Sequence, residues 1–284
     1  MARDEQVINE QDAIQANRSA WNASAPHHLK SERYSRLLKG FAQPGFNCLD
    51  NLLTERFEAL GVKGKNIAHL CCNNGAEILF VKNLGAARAV GFDQAGEFLK
   101  HGEAFRAAGG IDCELIETDV HAIAPSFDGV FDIVLVTIGA LGWMPDLPRF
   151  IGIVDRLLRN GGALCIHEQH PIMNMMEPWE NPDDPARLTH NYFKPQPFEE
   201  EGPIVYDGST APGGERHYWF VHTLGNIFSA CLDQGLMIEH YREYPHNISS
   251  TDFDIYNDQP AQLPQCYMLV ARKSGFLDVD GSIL

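Results

Sequence analysis

Apolar positions recur along this chain with two different periods. From residue 9 to about residue 60 they fall at helical spacing, most clearly over 11–21 and 47–60. From Lys65 onward short apolar runs alternate with amphipathic stretches. The runs predict strands over 66–72, 88–93, 112–118, 131–137 and 163–168, with helices over 76–84, 94–108 and 146–159 between them. Gly85, the pair Gly109 and Gly110, and the pair Gly161 and Gly162 follow the helices, where left-handed caps are wanted. The strands over 134–138 and 163–166 are apolar on both faces, as strands covered by helices on each side must be. Such alternation predicts an α/β fold with a doubly wound, mostly parallel sheet.

The regularity breaks between His170 and His222, a stretch carrying seven prolines from Pro178 to Pro212. A connection this long inside a compact domain is usually functional, often as a lid. A helix over 223–233 follows, closed by Gly235, and then two strands over 236–244 and 265–273. These two suit an antiparallel pair at the sheet edge, which makes seven strands. The expected organisation is an N-terminal helical lid segment over 1–60, then an α/β domain over 61–284 with an insertion at about 170–222.

The stretch K-N-I-A-H-L-C-C-N-N-G-A-E, residues 65–77, joins the first strand to its helix. A strand that stops at small, turn-tolerant residues and feeds a helix leaves bare backbone N–H groups beside the helix N-terminus. Asn is the non-glycine residue most at ease in the left-handed region, so Asn73 and Asn74 can stand where glycines often stand. The turn is either a cofactor cradle or a βα turn with no ligand. Asp93 ends the second strand eighteen positions after Gly75. An acid there can accept from both hydroxyls of a ribose, or it can cap the next helix. Asp119, ending the third strand, can meet an adenine amino group, with Val120 and Ile138 as apolar walls. Between the first helices, the stretch from Trp21 to Tyr34 holds His28 and suits either the roof of a pocket or a surface helix pair.

Composition narrows the partners. With 22 basic and 38 acidic residues the formal charge is −16, which opposes nucleic acid and anionic membrane surfaces. Seven cysteines, several in apolar runs, are distributed like reduced thiols, so the expected compartment is cytoplasmic. The polar, acidic stretch from Met1 to Asp12 lacks the apolar core of a signal peptide. Cys71 and Cys72 are adjacent, and His27 and His28 likewise lack ligand spacing, so no metal site is expected.

The strings H-L-C-C-N-N-G, A-V-G-F-D, E-T-D-V, F-D-I-V-L-V, G-W-M-P-D-L and L-L-R-N-G-G-A-L resemble the class I S-adenosylmethionine-dependent methyltransferases, from about Lys65 to Pro171. The first motif of that family is D-x-G-x-G-x-G; here His69 replaces the acid, Cys71 and Asn73 replace two glycines, and Gly75 is kept. The chain looks like a variant subgroup acting on small molecules. The resemblance implies a Rossmann-like methyltransferase fold and S-adenosylmethionine as cofactor. It sets His69, Leu70, Cys71, Cys72, Asn73 and Gly75 at the methionine moiety, Asp93 and Gln94 at the ribose, Asp119 and Val120 at adenine, and Ile138 and Gly139 under the sulfonium. Acceptor chemistry belongs at the ends of strands four and five. There His170 or Glu168 could serve as a base where the acceptor must lose a proton, with His222 a further candidate. His170 could equally pin the lid to the sheet. Trp21, His28, Tyr34, Trp143 and Trp219 are the candidate acceptor contacts. The expected reaction is methyl transfer to a small N, O or S nucleophile. A nicotinamide-dependent oxidoreductase and a cofactor-binding protein without turnover stay open, as does a homodimer.

Overall fold

In a computed structural model, residues 8–206 and 212–275 are described. The first residues of the acidic N-terminal stretch, Met1 to Val7, lie outside them, as do residues 207–211 of the insertion and residues 276–284. Three helices come first: α1 (Glu10–His28), α2 (Glu32–Phe41) and α3 (Asn51–Leu60). Asn9, Ser31 and Asp50 cap them, each accepting from a backbone N–H of the first turn. Helix α1 runs seven residues beyond the periodicity-based end, carrying Pro26 in its last turns.

The alternating section follows: β1 (Asn66–Leu70), α4 (Ala76–Asn83), β2 (Arg88–Asp93), α5 (Gly96–Gly109), β3 (Glu114–Glu117), β4 (Phe131–Thr137), α6 (Leu147–Leu157) and β5 (Leu158–Gln169). The insertion contributes β6 (Phe198–Gly202) and β7 (Glu215–Trp219), and the chain closes with α7 (Leu224–Asp233), β8 (Leu236–Tyr244) and β9 (Cys266–Lys273). Seven strands form one sheet in the order β3-β2-β1-β4-β5-β9-β8. The first five pair in parallel, whereas β9 is antiparallel to both β5 and β8. The expected doubly wound sheet is therefore the observed one.

Apolar clusters fill both faces. Phe150, Ile151, Val154 and Leu157 of α6 pack on one with Ile227 of α7, while Phe57, Leu79 and Phe105 cover the other. Side chains one residue apart on a strand go to opposite clusters, Ile67 to the second and Ala68 to the first.

Two local readings differ from the sequence pattern. Gly161 takes a φ of 72°, yet it lies within β5, beside a register shift against β4, and not after a helix. Helix α6 hands over to β5 directly at Leu158. The insertion, which reads as irregular, contains the β6–β7 hairpin. Three consecutive glutamates in β6 hide any alternation; Glu199 and Glu200 instead meet Arg216 and His217 across the pair.

Candidate functional site

The loop after β1 carries three left-handed residues at alternate positions: Cys71 at φ 54°, Asn73 at 51° and Gly75 at 67°. The two positions where the chain departs from a glycine pattern thus keep a glycine-like backbone, at a cost of about 1–3 kcal/mol for each non-glycine residue. Neighbouring groups hold them there. Cys72 N–H donates to the Phe92 carbonyl at 3.1 Å, Gly75 N–H to the Cys72 carbonyl at 2.8 Å, and Asn73 N–H to Asp93 Oδ2 at 2.6 Å. Asn74 is not left-handed; its Oδ1 accepts from Ala76 N–H at 3.2 Å, at the start of α4. A Cβ at Gly75 would lie 2.8 Å from Leu115 Cδ2, so a side chain there would have to displace the end of that leucine besides adopting the left-handed φ.

Asp93 ties two loops together. While Oδ2 accepts from Asn73, Oδ1 accepts from Ala95 N–H at 2.8 Å. It does not cap α5, whose N-cap position is Ala95. Burial pushes its pKa up to about 6 against the pull of backbone N–H groups from Ala95, Asn73 and Gln94. Only 9% of the residue is exposed, and what shows lines a cavity.

That cavity, of about 280 Å³, opens over the carboxyl ends of β1, β2 and β4. His69, Cys71, Cys72, Asn73, Asp93 and Gln94 line it from one side, and Asp119, Val120, Ile138 and Gly139 from the other. Trp21, Trp143 and Trp219 line it as well. His69 Nε2 lies 2.8 Å from Thr137 Oγ1, and its buried Nδ1 has no partner. Burial pushes the ring down to about 3, so it stays neutral at physiological pH. Asp119 Oδ1 accepts from both the backbone and ring Nδ1 of His121, at 2.9 and 2.8 Å. Burial acts to raise the Asp119 pKa, but the two hydrogen bonds from His121 outweigh it and hold the carboxyl below its ordinary value.

The three tryptophans stand in a row, Trp21 edge-on to Trp143 at 5.2 Å and Trp143 edge-on to Trp219 at 5.0 Å. Trp219 lies on the backbone of Gly142, where a Cβ would come within 2.4 Å of its ring. Phe220 N–H donates to the Gly142 carbonyl at 2.7 Å, and Trp219 Nε1 to Asn174 Oδ1 at 3.0 Å. Buried Asn17 of α1 pairs with Tyr218 like a strand, donating to its carbonyl at 3.0 Å and accepting from its N–H at 2.8 Å.

Seven of the residues singled out from the sequence do not line the cavity. Leu70 is fully buried in the core, and Gly75 offers only backbone behind the loop. Glu168 lies beneath the loop after β4, accepting from Gly139 N–H at 2.5 Å and Leu141 N–H at 3.1 Å; burial pushes its pKa up to about 7. His170 caps the turn at Pro171–Met175 and meets Glu243 at 3.1 Å. Nε2 of His222 contacts the Met144 carbonyl at 2.8 Å. His28 reaches the Ile204 carbonyl at 2.8 Å, and Tyr34 packs on His101 and Phe105. All three histidines and Glu168 thus use their polar atoms on the scaffold.

The cavity also gains residues that the sequence did not point to. Arg33 lies 3.9 Å from Glu77 and sits over the ring of Tyr206 at 5.8 Å, and all three line it. Thr137, Ile248 and Ser249 join them. Arg33 stood inside the stretch from Trp21 to Tyr34 that suited either the roof of a pocket or a surface helix pair; Tyr206 and Ser249 lie in turn-rich segments with no periodic signal.

Residues 68–166 match the sequence pattern of a family described as a methyltransferase domain. The match runs from β1 into β5 and so includes the left-handed loop and Asp93. An S-adenosylmethionine-dependent methyltransferase structure from Mesorhizobium loti is similar at a TM-score of 0.51 and 21% identity, covering 77% of this chain and 97% of that one. One from Methanosarcina mazei gives 0.54 at 18% identity, covering 80% and 98%. One from Clostridium acetobutylicum gives 0.53 at 13% identity, covering 90% and 99%. No curated protein matches the chain. The fold is therefore the Rossmann-like methyltransferase fold. Among the described residues no helix is long and apolar enough to cross a membrane, and no three His, Cys, Asp or Glu side chains are grouped to hold a metal.

Proposed function

We propose that the chain transfers a methyl group from S-adenosylmethionine to a small-molecule acceptor, in a pocket covered by α1 and the insertion. The observation that carries this reading is the backbone of residues 71–75, left-handed at Cys71, Asn73 and Gly75 despite two missing glycines and tied by Asn73 to Asp93. S-adenosylmethionine supplies, when bound, a methyl carbon already activated by a sulfonium.

The residues present fit that group. The N-terminus of α4 and the loop before it would hold the amino-acid tail, with Arg33 as the cation for its carboxylate. Orphaned Nδ1 of His69 gives this end an uncharged polar group in place of the usual acid. Each carboxylate oxygen has a second lone pair, so Asp93 can still accept from ribose hydroxyls while holding Asn73 and Ala95. Asp119 and Val120 would flank the base, and Ile138, 39% exposed on the cavity floor, would be covered by ligand. Alignment and exclusion of water then supply most of the rate.

Calorimetric titration with S-adenosylmethionine, S-adenosylhomocysteine and NAD tests the cofactor, with the first two expected to bind. NAD binding alone would favour an oxidoreductase. A labelled-methyl screen over small amines, thioethers and carboxylates tests turnover. Binding without any labelled acceptor would leave a cofactor-binding protein.

A further inference from the structure

Under the methyl-transfer reading the tryptophan wall of Trp21, Trp143 and Trp219 is the acceptor end of the cavity, and the amino-acid tail of the cofactor lies at the other. That tail is a zwitterion, with an ammonium and a carboxylate on one carbon. His69 stands where the family has an acid, and burial pushes its ring down to about 3. A neutral imidazole gives an ammonium no countercharge, so the countercharge has to come from elsewhere in the lining. Among the described residues three carboxylates line the cavity: Glu77, Asp93 and Asp119. Two of them are engaged, Asp93 with the N–H groups of Asn73 and Ala95, and Asp119 with His121. Glu77, in the first turn of α4, is different. Among the described residues it accepts no hydrogen bond, and its one ion pair, with Arg33 Nη2, is open at 3.9 Å. The Glu77 side chain is 18% exposed and that of Arg33 41%. Glu77 does not saturate the guanidinium either, because Arg33 Nε has no hydrogen-bond partner.

We propose that Glu77 binds the α-ammonium of the cofactor beside Arg33 on its carboxylate, and so supplies from α4 the negative charge that β1 lacks at His69. The proposal rests on the methyl-transfer reading above and adds a specificity-determining contact to it. An open pair of opposite charges is complementary to a zwitterion and to neither half alone. A ligand carboxylate on Arg33 without its ammonium lies against Glu77, and an ammonium on Glu77 without its carboxylate lies against Arg33. With both present the four charges alternate, and each ligand group meets an opposite charge within hydrogen-bonding reach. The repulsion of each half-tail is what makes the pair selective for the intact amino acid. Asp93 and Asp119 cannot take this part without giving up the main-chain and imidazole groups they hold at the nucleoside end.

The test is calorimetric titration of the full chain, wild type and Glu77→Gln, with S-adenosylhomocysteine, its desamino analogue and methylthioadenosine, which lacks the tail. Failure of both S-adenosylhomocysteine and S-adenosylmethionine to bind wild type overturns the cofactor reading and this proposal with it. Given binding, removing the ligand amine or substituting Glu77→Gln should each raise Kd roughly ten- to a hundredfold. Doing both should cost little more than doing either, because each deletes the same contact. Methylthioadenosine should bind wild type and Glu77→Gln alike, within about twofold. An unchanged Kd for S-adenosylhomocysteine in Glu77→Gln overturns this proposal and leaves the cofactor reading standing. So does a loss shared equally by methylthioadenosine, which would make Glu77 a support for Arg33 and α4. Wild type alone supplies a check that survives misfolding of the variant: equal affinity for S-adenosylhomocysteine and its desamino analogue overturns the proposal.

Discussion

Two buried carboxylates hold the two ends of this cavity, and they do so differently. Asp93, at the end of β2, reaches across to the loop after β1; Glu168, near the end of β5, reaches across to the loop after β4. Each accepts from main-chain N–H groups on a neighbouring crossover, and burial raises the pKa of each. Only Asp93 also faces the cavity, which Arg33, Glu77 and Tyr206 line as well. The loop that Glu168 holds sits below Trp219. The same strut therefore serves as ligand and scaffold at one end, and as scaffold alone at the other.

The largest effect expected from this pairing is on stability with pH. A carboxyl whose pKa is higher folded than unfolded binds its proton more tightly in the native state. Its contribution is fully present below the unfolded value and is lost as pH rises through the folded one. For Asp93 that window runs from 3.8 to about 6, and for Glu168 from 4.5 to about 7. At 1.36 kcal/mol per unit, each loss is on the order of 3 kcal/mol. Urea unfolding of the ligand-free protein from acid to neutral pH should show the decline. Asp93→Asn and Glu168→Gln should each flatten their own part of it, whatever constant offset the lost N–H acceptor adds. S-adenosylmethionine should shift the Asp93 step downward and leave the Glu168 step in place. If both steps move together, the distinction between ligand and strut fails.

Next in size is Asp93→Ala on cofactor affinity. Losing hydrogen bonds to a charged acceptor costs about 1.5–3 kcal/mol, or roughly one to two powers of ten in Kd. Glu168→Ala should change that Kd much less, at a temperature where both variants stay folded. Calorimetry on the pair gives the comparison directly, and equal losses would mean that Asp93 acts only through the loop.

The sheet and the β1–β2 end were legible in the sequence because their signals are local. Alternating apolar runs, glycines after helices and an acid at a strand end all sit within a few residues of the structure they specify. Even the departures from the glycine pattern were visible, although Cys71 in place of Asn74 as the second left-handed residue was not. The insertion was opaque because its order comes from partners far along the chain. Tyr218 is fixed by Asn17, Ile204 N–H by Ser24 Oγ at 2.9 Å, and Trp219 by the absence of a side chain at Gly142. His170 and His222 were read as candidate bases from residue type and position alone. Whether a histidine faces a cavity or caps a turn depends on contacts such as Glu243 and the Met144 carbonyl, which no local pattern carries.

Those distant partners give the third prediction. Asn17→Ala removes both hydrogen bonds to Tyr218 and leaves a buried N–H and carbonyl unpaired, at a cost of about 2 kcal/mol. The loss should fall on the acceptor end, so KM for the acceptor rises while the Kd of S-adenosylmethionine changes little. Asn17→Asp sets a carboxylate oxygen against the Tyr218 carbonyl in a fully buried place and should do no better.

The smallest expected effect probes the other end. Asn73→Gly places the residue with least steric objection at a φ of 51°. It relieves native strain, but it also enlarges the unfolded ensemble, and the two terms oppose each other. Net stability should therefore change by less than about 1 kcal/mol. Asn73 N–H, the group that donates to Asp93, is retained in glycine, so cofactor affinity should be unchanged within a factor of about two. Cys71→Gly has the same backbone logic, but it removes a side chain that lines the cavity, so its affinity should move more. A large loss of affinity in Asn73→Gly would locate recognition in the carboxamide and not in the main chain. The β1–β2 end would then depend on side-chain identity as heavily as the tryptophan wall does, and the contrast between the two ends would disappear.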